Sequence, residues 1–400
     1  MSEDLIEVTV GAPAHGGHCV ARVDGRVIFV RHALPGEVVK IRLTESEPDA
    51  RLWRADAVEV IEASSDRVDS TWPEAGPGGV GGGELAHVSL SGQRAWKRAV
   101  LQESFERFAG QDFPGEVHAA PGDDERGGLR YRTRVSATAN ASGNAAMRGH
   151  RSKEAIALSS MPLATEQIEE ELLTHRWPAG SRITIAQGSD GTVRTTVGDV
   201  PWSNGKPDRR KNAATTVRQH VEWNGHTFDY RVNAGGFWQV HREAPNVLVS
   251  EVMSRIRDAE TVADLYGGAG LFALPLGAAG KNVTSIESDG ASSRAARRNC
   301  HEYPSVTVLP GDVRRHLTQG IGSRDAIVLD PPRSGAGAKT LQAMAEHSPA
   351  TVVYVACDPV ALARDSKTMA EMGYALTDAT AYDLFPMTHH VETVATFVRR

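Results

Sequence analysis

The sequence predicts an α/β protein in three parts: a small β-barrel, a central α+β domain and a doubly wound parallel sheet. Short runs that alternate apolar and polar residues, separated by turn residues, fill the first 62 positions. A stretch rich in glycine and proline follows, and regular alternation of strand-like and helix-like segments begins near residue 245. These patterns predict domains at residues 1–62, 63–230 and 231–400.

We predict five strands in the first part, at residues 5–10, 18–23, 26–30, 38–43 and 55–61. Turn pairs such as Asp24-Gly25 and Pro35-Gly36 separate them. Five short strands in about 60 residues are typical of an OB-like barrel, a fold that often binds nucleic acid.

The middle of the chain is less regular. Residues 64–83 contain the run GPGGVGGG and predict a loop or linker. Further predicted elements are a helix at 91–108, a strand within 126–139, a helix at 164–175 and a basic loop at 198–218.

The C-terminal part predicts a Rossmann-like, doubly wound sheet. A helix at 245–257 precedes strands at 261–266, 282–287, 306–309, 326–329 and 352–356, with helices at 291–300, 314–320 and 340–346 between them. Two final strands are predicted near 375–381 and 391–399. In such folds ligands bind at the carboxyl ends of the parallel strands.

The composition is that of an ordinary globular protein, since 40% of the 400 residues are hydrophobic and 24% are charged. The sequence contains no run of about 18 apolar residues, so no membrane span is predicted. The acidic start MSEDLIEVTV lacks the blocks of a signal peptide and favours a cytoplasmic protein. The net charge of −6 argues mildly against a nucleic-acid partner, but local basic patches carry more weight than the total.

A cofactor site is predicted where the first two parallel strands end. The first runs into DLYGGAG, Asp264 to Gly270, whose glycines let a ligand approach the backbone. The second ends at Glu287, where an acid can hold the hydroxyls of a ribose. Because no phosphate-gripping lysine or Walker pattern occurs, we favour S-adenosylmethionine over NAD or ATP. Asp312 could meet the adenine amine, or it could be only a turn residue in PGD.

Two further strand ends carry reactive groups. The fourth strand ends in DPPRSG, which begins at Asp330, and the fifth ends at Cys357 within YVACDP. An isolated strand cysteine is more often an inert buried thiol, but a position facing the proposed cofactor favours a nucleophile. Glu392 is either a solvated carboxylate or part of the same site. No metal site is predicted, because His389 and His390 lack a third spaced ligand.

In order and spacing, the segments FWQVH, DLYGGAG, IES, DPPRSG, YVACDP and DLFPMTHHVE resemble the RNA 5-methyluridine methyltransferase family. The segments GGHCVAR, DGRVIFV and ALPGE resemble a TRAM domain, the OB-like module that many members carry. The resemblance implies that S-adenosylmethionine is bound by Gln239, Tyr266, Leu271, Glu287 and Asp330. It also implies that Cys357 is the nucleophile and Glu392 the general base.

The implied chemistry explains these residue types. C5 of uracil is a poor nucleophile until a thiolate adds to C6. C5 can then take the methyl group from the sulfonium, and a carboxylate must remove the C5 proton before the thiolate leaves. Either Asp330 or Gln239 could form a hydrogen bond with the edge of the uracil base. To reach this pocket, the base should be flipped out of its stack.

The sequence departs from the family pattern at the iron–sulfur cluster that many relatives carry. The stretches that match its ligand segments read GVGGGELAHV and SSMPLA, without cysteine. A four-iron cluster usually needs four thiolates. The chain has only Cys19, Cys300 and Cys357, so we expect no cluster. The cofactor-loop cysteine common in relatives is Gly267 here, an exchange expected to be harmless.

RNA is the expected partner, and no obligate protein partner is evident. Arg130, Arg132 and Arg134 alternate along the predicted strand and would share one face, as a phosphate track or a solvated surface. The basic sequence KPDRRK at 206–211 is a second candidate. The TRAM domain favours 23S rRNA over tRNA as substrate. Cytosine methylation and non-catalytic RNA binding are the alternatives.

Overall fold

A computed structural model describes residues 5–47, 49–152 and 154–400, so the first four residues of the acidic start lie outside the described residues. The first part is a six-stranded sheet in the order β1-β5-β6-β4-β3-β2. Its strands are β1 (Ile6–Thr9), β2 (Pro13–Ala14), β3 (His18–Val23), β4 (Arg26–Arg31), β5 (Val38–Glu45) and β6 (Leu52–Glu62). All five predicted strands are present, and β2 is a sixth, short strand that was not predicted.

The middle of the chain begins with helix α1 (Leu90–Ser104), a π-helical turn (Phe105–Ala109) and strand β7 (Val117–Ala119). A seven-stranded antiparallel sheet follows, built from β8 (Arg134–Ala139), β9 (Ala145–Arg148), β10 (Ala155–Ala157), β11 (Arg182–Gln187), β12 (Val193–Val197), β13 (Val200–Ser203) and β14 (Lys206–Pro207). Helix α2 (Glu166–Thr174) lies between β10 and β11 in the chain. A separate hairpin consists of β15 (Thr216–Trp223) and β16 (His226–Asn233).

Two predictions for the middle part are wrong. Residues 198–218 are not a continuous loop, because β13 and β14 form a hairpin there and β15 begins at Thr216. The strand predicted within 126–139 begins only at Arg134, since the preceding residues form turns and Arg130 has a left-handed φ of 59°. Residues 64–83 are irregular, as predicted, yet they pack firmly, with the Trp72 side chain fully buried.

The C-terminal part is the predicted doubly wound sheet. Its strands are β17 (Thr261–Leu265), β18 (Asn282–Glu287), β19 (Val306–Pro310), β20 (Ala326–Leu329), β21 (Thr351–Ala356), β22 (Tyr374–Asp383) and β23 (Glu392–Arg399). Its helices are α3 (Ala244–Arg255), α4 (Ala273–Ala278), α5 (Gly290–Asn299), α6 (Val313–Gln319), α7 (Ala338–Ala345) and α8 (Pro359–Glu371). The order β19-β18-β17-β20-β21-β23-β22-β7 reverses beside β17, which is where open α/β sheets bind ligands.

The three parts share elements across the predicted boundaries. Strand β7 pairs in parallel with β22 and so completes the edge of the C-terminal sheet. The predicted boundary at residue 230 falls inside β16, whose hairpin packs against α3 and α5. Within the described ranges, none of the helices combines the length and apolar character needed to cross a bilayer.

The stretches that match the cluster-binding segments of relatives lie close together. Glu74, just before the first stretch, accepts the backbone N–H groups of Ser159 at 3.0 Å and Ser160 at 3.3 Å. A Cβ added at Gly83 would lie 2.8 Å from the buried Trp72 ring. The described residues contain no group of three or more histidine, cysteine or acidic side chains placed to hold a metal. With no thiol in either stretch and Trp72 filling the space beside Gly83, these residues do not fit an iron–sulfur cluster.

Candidate active site

The loop after β17 is built around a carboxylate. Glu287, the last residue of β18, accepts the backbone N–H of Gly268 at 2.9 Å and that of Asp289 at 2.5 Å. Gly268 has a φ of +54° and open space where a Cβ would lie. A ligand can therefore approach the loop backbone directly beside an acidic side chain.

The side chains around Gly267 leave no room for a Cβ atom. Beneath it, the buried Asp264 accepts the Ser285 hydroxyl at 3.0 Å, and its other oxygen has no hydrogen-bond partner among the described residues. Burial raises the pKa of Asp264 to about 7, although the Ser285 hydrogen bond opposes the shift. A Cβ at Gly267 would overlap Ser285 Oγ and lie 2.6 Å from the Asp264 carboxylate.

The other predicted cofactor residues differ in their surroundings. Tyr266 follows β17 with a left-handed φ of 65°, and Leu271 is buried in the next turn of the loop. The Gln239 side chain is only 7% exposed. Asp312 is exposed and caps α6, where its carboxylate accepts a backbone N–H at 2.8 Å, and its contact with adenine stays a prediction.

The predicted nucleophile and base lie at adjoining strand ends. Strands β21 and β23 are antiparallel, and their register pairs Ala356 with Thr393. Cys357, which follows Ala356, and Glu392, which precedes Thr393, are the next pair across these two strands and therefore face each other. Glu392 is 3% exposed, whereas Cys357 is half-buried.

The surroundings of this pair favour its uncharged form. Burial, followed by the charges of Glu392 and Asp330, raises the pKa of Cys357 to about 12. Burial and Asp330 raise the pKa of Glu392 well above its ordinary value, and Arg333 opposes that shift. Burial and neighbouring carboxylates likewise raise the pKa of Asp330 to about 7. A cation bound among these groups would lower their pKa values, so the site suits a positively charged ligand.

The other two cysteines are enclosed. Cys19 is fully buried in the barrel core, where its thiol contacts the Ala33 carbonyl at 3.6 Å. Cys300 is 3% exposed, and burial raises its pKa to about 12. Of the three cysteines, all within the described ranges, Cys357 is the one that a substrate can reach.

The predicted arginine face is wrong. Arg130 lies outside the strand and pairs with Glu169 of α2. Arg134 is 7% exposed, and its guanidinium donates to the backbone carbonyls of residues 233, 234 and 236 at 2.8 to 3.1 Å. Arg134 therefore anchors the end of β16 and is not available to phosphate. Only Arg132 of the three lines the groove described next.

A groove of about 570 Å³ lies where the barrel, the central sheet and the C-terminal part meet. All three parts contribute arginines to its lining: Arg31, Arg132, Arg148, Arg182 and Arg333. The Nε atoms of Arg31 and Arg132 are buried and have no hydrogen-bond partner in the part of the chain that the structure describes. Arg333 links the groove to the site, because its charge acts on Cys357 and Glu392.

Most of this groove was not predicted from the sequence. Arg333 stood within the DPPRSG motif, but Arg31, Arg148 and Arg182 come from distant strands that only the tertiary structure brings together. In the second basic segment, Arg210 pairs with Asp208, and none of its residues lines the groove.

Comparisons with known proteins agree with the predicted resemblance. The TRAM domain model matches residues 4–52, and the tRNA (Uracil-5-)-methyltransferase model matches residues 322–400. An uncharacterized RNA methyltransferase of Bifidobacterium longum is 39% identical over 98% of this chain and 96% of that protein. The 23S rRNA (uracil(1939)-C(5))-methyltransferase RlmD of Shewanella amazonensis is 30% identical over 96% of this chain and 93% of that protein.

The fold also matches a solved structure over nearly its whole length. The Pyrococcus abyssi tRNA (uracil-54, C5)-methyltransferase, in complex with S-adenosyl-L-homocysteine, superposes with a TM-score of 0.71 at 21% identity. The match covers 98% of this chain and 99% of that one. With the two matched segments and the near full-length relatives, the chain belongs to the S-adenosylmethionine-dependent RNA uracil-C5 methyltransferase family, as a member with an N-terminal TRAM domain.

Proposed function

We propose that this protein methylates C5 of a uridine in RNA, forming 5-methyluridine with S-adenosylmethionine as methyl donor. The observation that carries the proposal is the placement of Cys357 opposite Glu392 at the carboxyl edge of the parallel sheet. A thiol and a carboxyl group that can reach one base supply both functions that C5 methylation needs, namely addition to C6 and removal of the C5 proton.

The residues at this edge fit S-adenosylmethionine, which supplies an electrophilic methyl group on a sulfonium. Glu287 offers carboxylate oxygens for the ribose hydroxyls, next to the open space over Gly268. The amide of Gln239, a residue that is 7% exposed, can offer both a donor and an acceptor to the cofactor. Asp330, whose raised pKa reflects burial among carboxylates, favours a cationic ligand nearby.

The reaction we propose follows from the two facing side chains. Cys357 loses its proton to solvent and adds as a thiolate to C6 of the flipped uracil, which makes C5 electron-rich. Once C5 carries the methyl group, Glu392 takes the C5 proton and the bond between C6 and sulfur breaks. Because burial and Asp330 raise the pKa of Glu392, its carboxyl group must ionise in the loaded site before it can act as a base.

We propose 23S rRNA as the RNA substrate. The relatives named as 23S rRNA enzymes are similar in sequence along nearly the whole chain. The tRNA enzyme, at 21% identity, is similar in fold alone, and a shared fold does not indicate a shared substrate. Intact Cys357 and Glu392 argue against a non-catalytic RNA-binding protein. The combined DPPR, YVAC and HVE motifs fit uracil better than cytosine.

Mass mapping of modified nucleosides in rRNA and tRNA from a deletion strain tests this proposal. We expect 5-methyluridine to disappear from one 23S rRNA position and to return when purified protein and S-adenosylmethionine are added to that RNA. Loss from tRNA alone would change the assigned substrate. Loss of 5-methylcytosine, or unchanged RNA together with inactive purified protein, would contradict the proposed reaction.

Replacing Gly267 with alanine is expected to weaken S-adenosylmethionine binding about tenfold, because the added methyl group forces the cofactor loop away from its buried neighbours. Isothermal titration calorimetry measures the effect. Adding Ser285→Ala removes the overlapped hydroxyl and should restore part of the affinity. Equal affinity of the single variant and the wild type would show that the loop accommodates the methyl group.

Removing two groove arginines, Arg148 and Arg182, is expected to weaken RNA binding and flatten its salt dependence. Each lost phosphate contact should reduce the slope of log affinity against log salt by about 0.7 to 0.9. Filter binding at several salt concentrations measures the slope. The matched control is Arg257→Ala, an exposed arginine at the amino end of β17, away from the groove. A slope that does not differ from that of the control would remove the groove from the RNA path.

A further inference from the structure

The polypeptide on both sides of the reaction centre is tied to the N-terminal half of the molecule. Asp358 directly follows Cys357, and its Oδ1 caps α8 by accepting the Ala361 N–H at 2.8 Å. Its Oδ2 lies 3.2 Å from Nε2 of His15, in the turn between β2 and β3 of the barrel. The barrel thus contacts the residue next to the nucleophile.

The segment before the base is held in a similar way. Glu84, 5% exposed, accepts both the backbone N–H of His389 at 3.0 Å and its ring Nδ1–H. Burial alone would raise the pKa of Glu84, but the hydrogen bonds and charge of His389 hold it well below its ordinary value. Glu84 is therefore a buried carboxylate that fixes the chain three residues before Glu392.

The barrel turn also packs against this second contact. Gly17 is buried with a φ of +78°, and a Cβ there would lie 2.7 Å from Cγ of Glu84 and 3.3 Å from Cβ of His389. The His15 and His389 rings meet edge to face, with centroids 6.0 Å apart. One barrel turn therefore contacts the segments that carry both Cys357 and Glu392.

We propose that this turn, residues 15–17, is a positioning element for methyl transfer, with His15 and Gly17 as positioning residues. This inference rests on the proposed function. A barrel that served only to bind RNA would not need to contact Asp358 or to fit against Glu84. The turn instead fixes the separation between the nucleophile and the base, on which the rates of addition and elimination depend.

His15→Ala tests this role, because the side chain is 40% exposed and its loss leaves the barrel core intact. The probe is an unmodified transcript of the RNA region that the wild type methylates. We expect the single-turnover rate at saturating RNA and cofactor to fall about three- to tenfold, the effect of losing one charge-assisted hydrogen bond. The RNA dissociation constant should stay within about twofold. His15→Gln, which keeps a donor, should recover part of the rate.

Three comparisons complete the test. In an Asp358→Asn background the His15→Ala substitution should have a smaller effect, because the two residues act as one contact. Gly17→Ala should also slow the reaction, with circular dichroism as the check on folding. Glu59→Ala, which removes an exposed barrel ion pair, is the control and should behave as wild type.

An unchanged rate in His15→Ala, or a loss confined to RNA affinity, would overturn the positioning role while leaving the proposed function in place. Absence of methyl transfer to uridine by the wild type would overturn the proposed function itself, and the positioning role with it.

Discussion

Replacing Cys357 with alanine is expected to abolish methyl transfer to RNA, with a rate at least about a thousandfold below wild type. Without the thiol no bond to C6 forms, so C5 of uracil stays too weak a nucleophile to take the methyl group. S-adenosylmethionine affinity should remain within about twofold, because the proposed cofactor residues lie on other strands. Transfer of a tritiated methyl group and calorimetry measure the two quantities.

Cys19→Ala is the matched control for this substitution. Cys19 is a buried thiol in the barrel core, and burial raises its pKa far above the ordinary value, so it is not a nucleophile. We expect this variant to keep its methyl-transfer rate. Appreciable turnover by Cys357→Ala would refute covalent catalysis and leave Cys357 as a structural residue.

The C-terminal sheet was predictable because its strands are buried on both faces. Such strands appear in the sequence as short apolar runs, and glycines or acidic residues mark their ends. The strand that carries Glu392 was also predicted, near residues 391–399, and six of its eight residues are buried. The family resemblance implied the roles of Glu392 and Cys357, but the structure shows that their strands are neighbours, because local periodicity does not determine the order of strands in a sheet.

The arginine surface could not be predicted in the same way. Alternation suggested a continuous strand, but the chain turns through Gly127 and Gly128 and remains left-handed at Arg130. The carbonyls that bind Arg134 lie 99 to 102 residues further along the chain. The missed β13–β14 hairpin did carry a local signal, the Asn204-Gly205 pair, which its polar surroundings obscured.

Replacing Glu392 with glutamine is expected to trap a covalent complex between the protein and methylated RNA. Burial and Asp330 raise the pKa of Glu392 and so favour its neutral form, and the amide counterpart should therefore preserve the fold. Cys357 can still add to C6 and C5 can still be methylated, but no carboxylate then removes the C5 proton.

The trapped complex should migrate as a slow band on a denaturing gel that carries both labelled RNA and the labelled methyl group. Release of methylated RNA should fall at least about a hundredfold, the usual contribution of a general base. The double variant Cys357→Ala/Glu392→Gln is the control, and it should form no band because it lacks the attacking thiol. If Glu392→Gln releases methylated RNA at the wild-type rate without accumulating the complex, another group is the base, and the facing of Glu392 and Cys357 has no catalytic role.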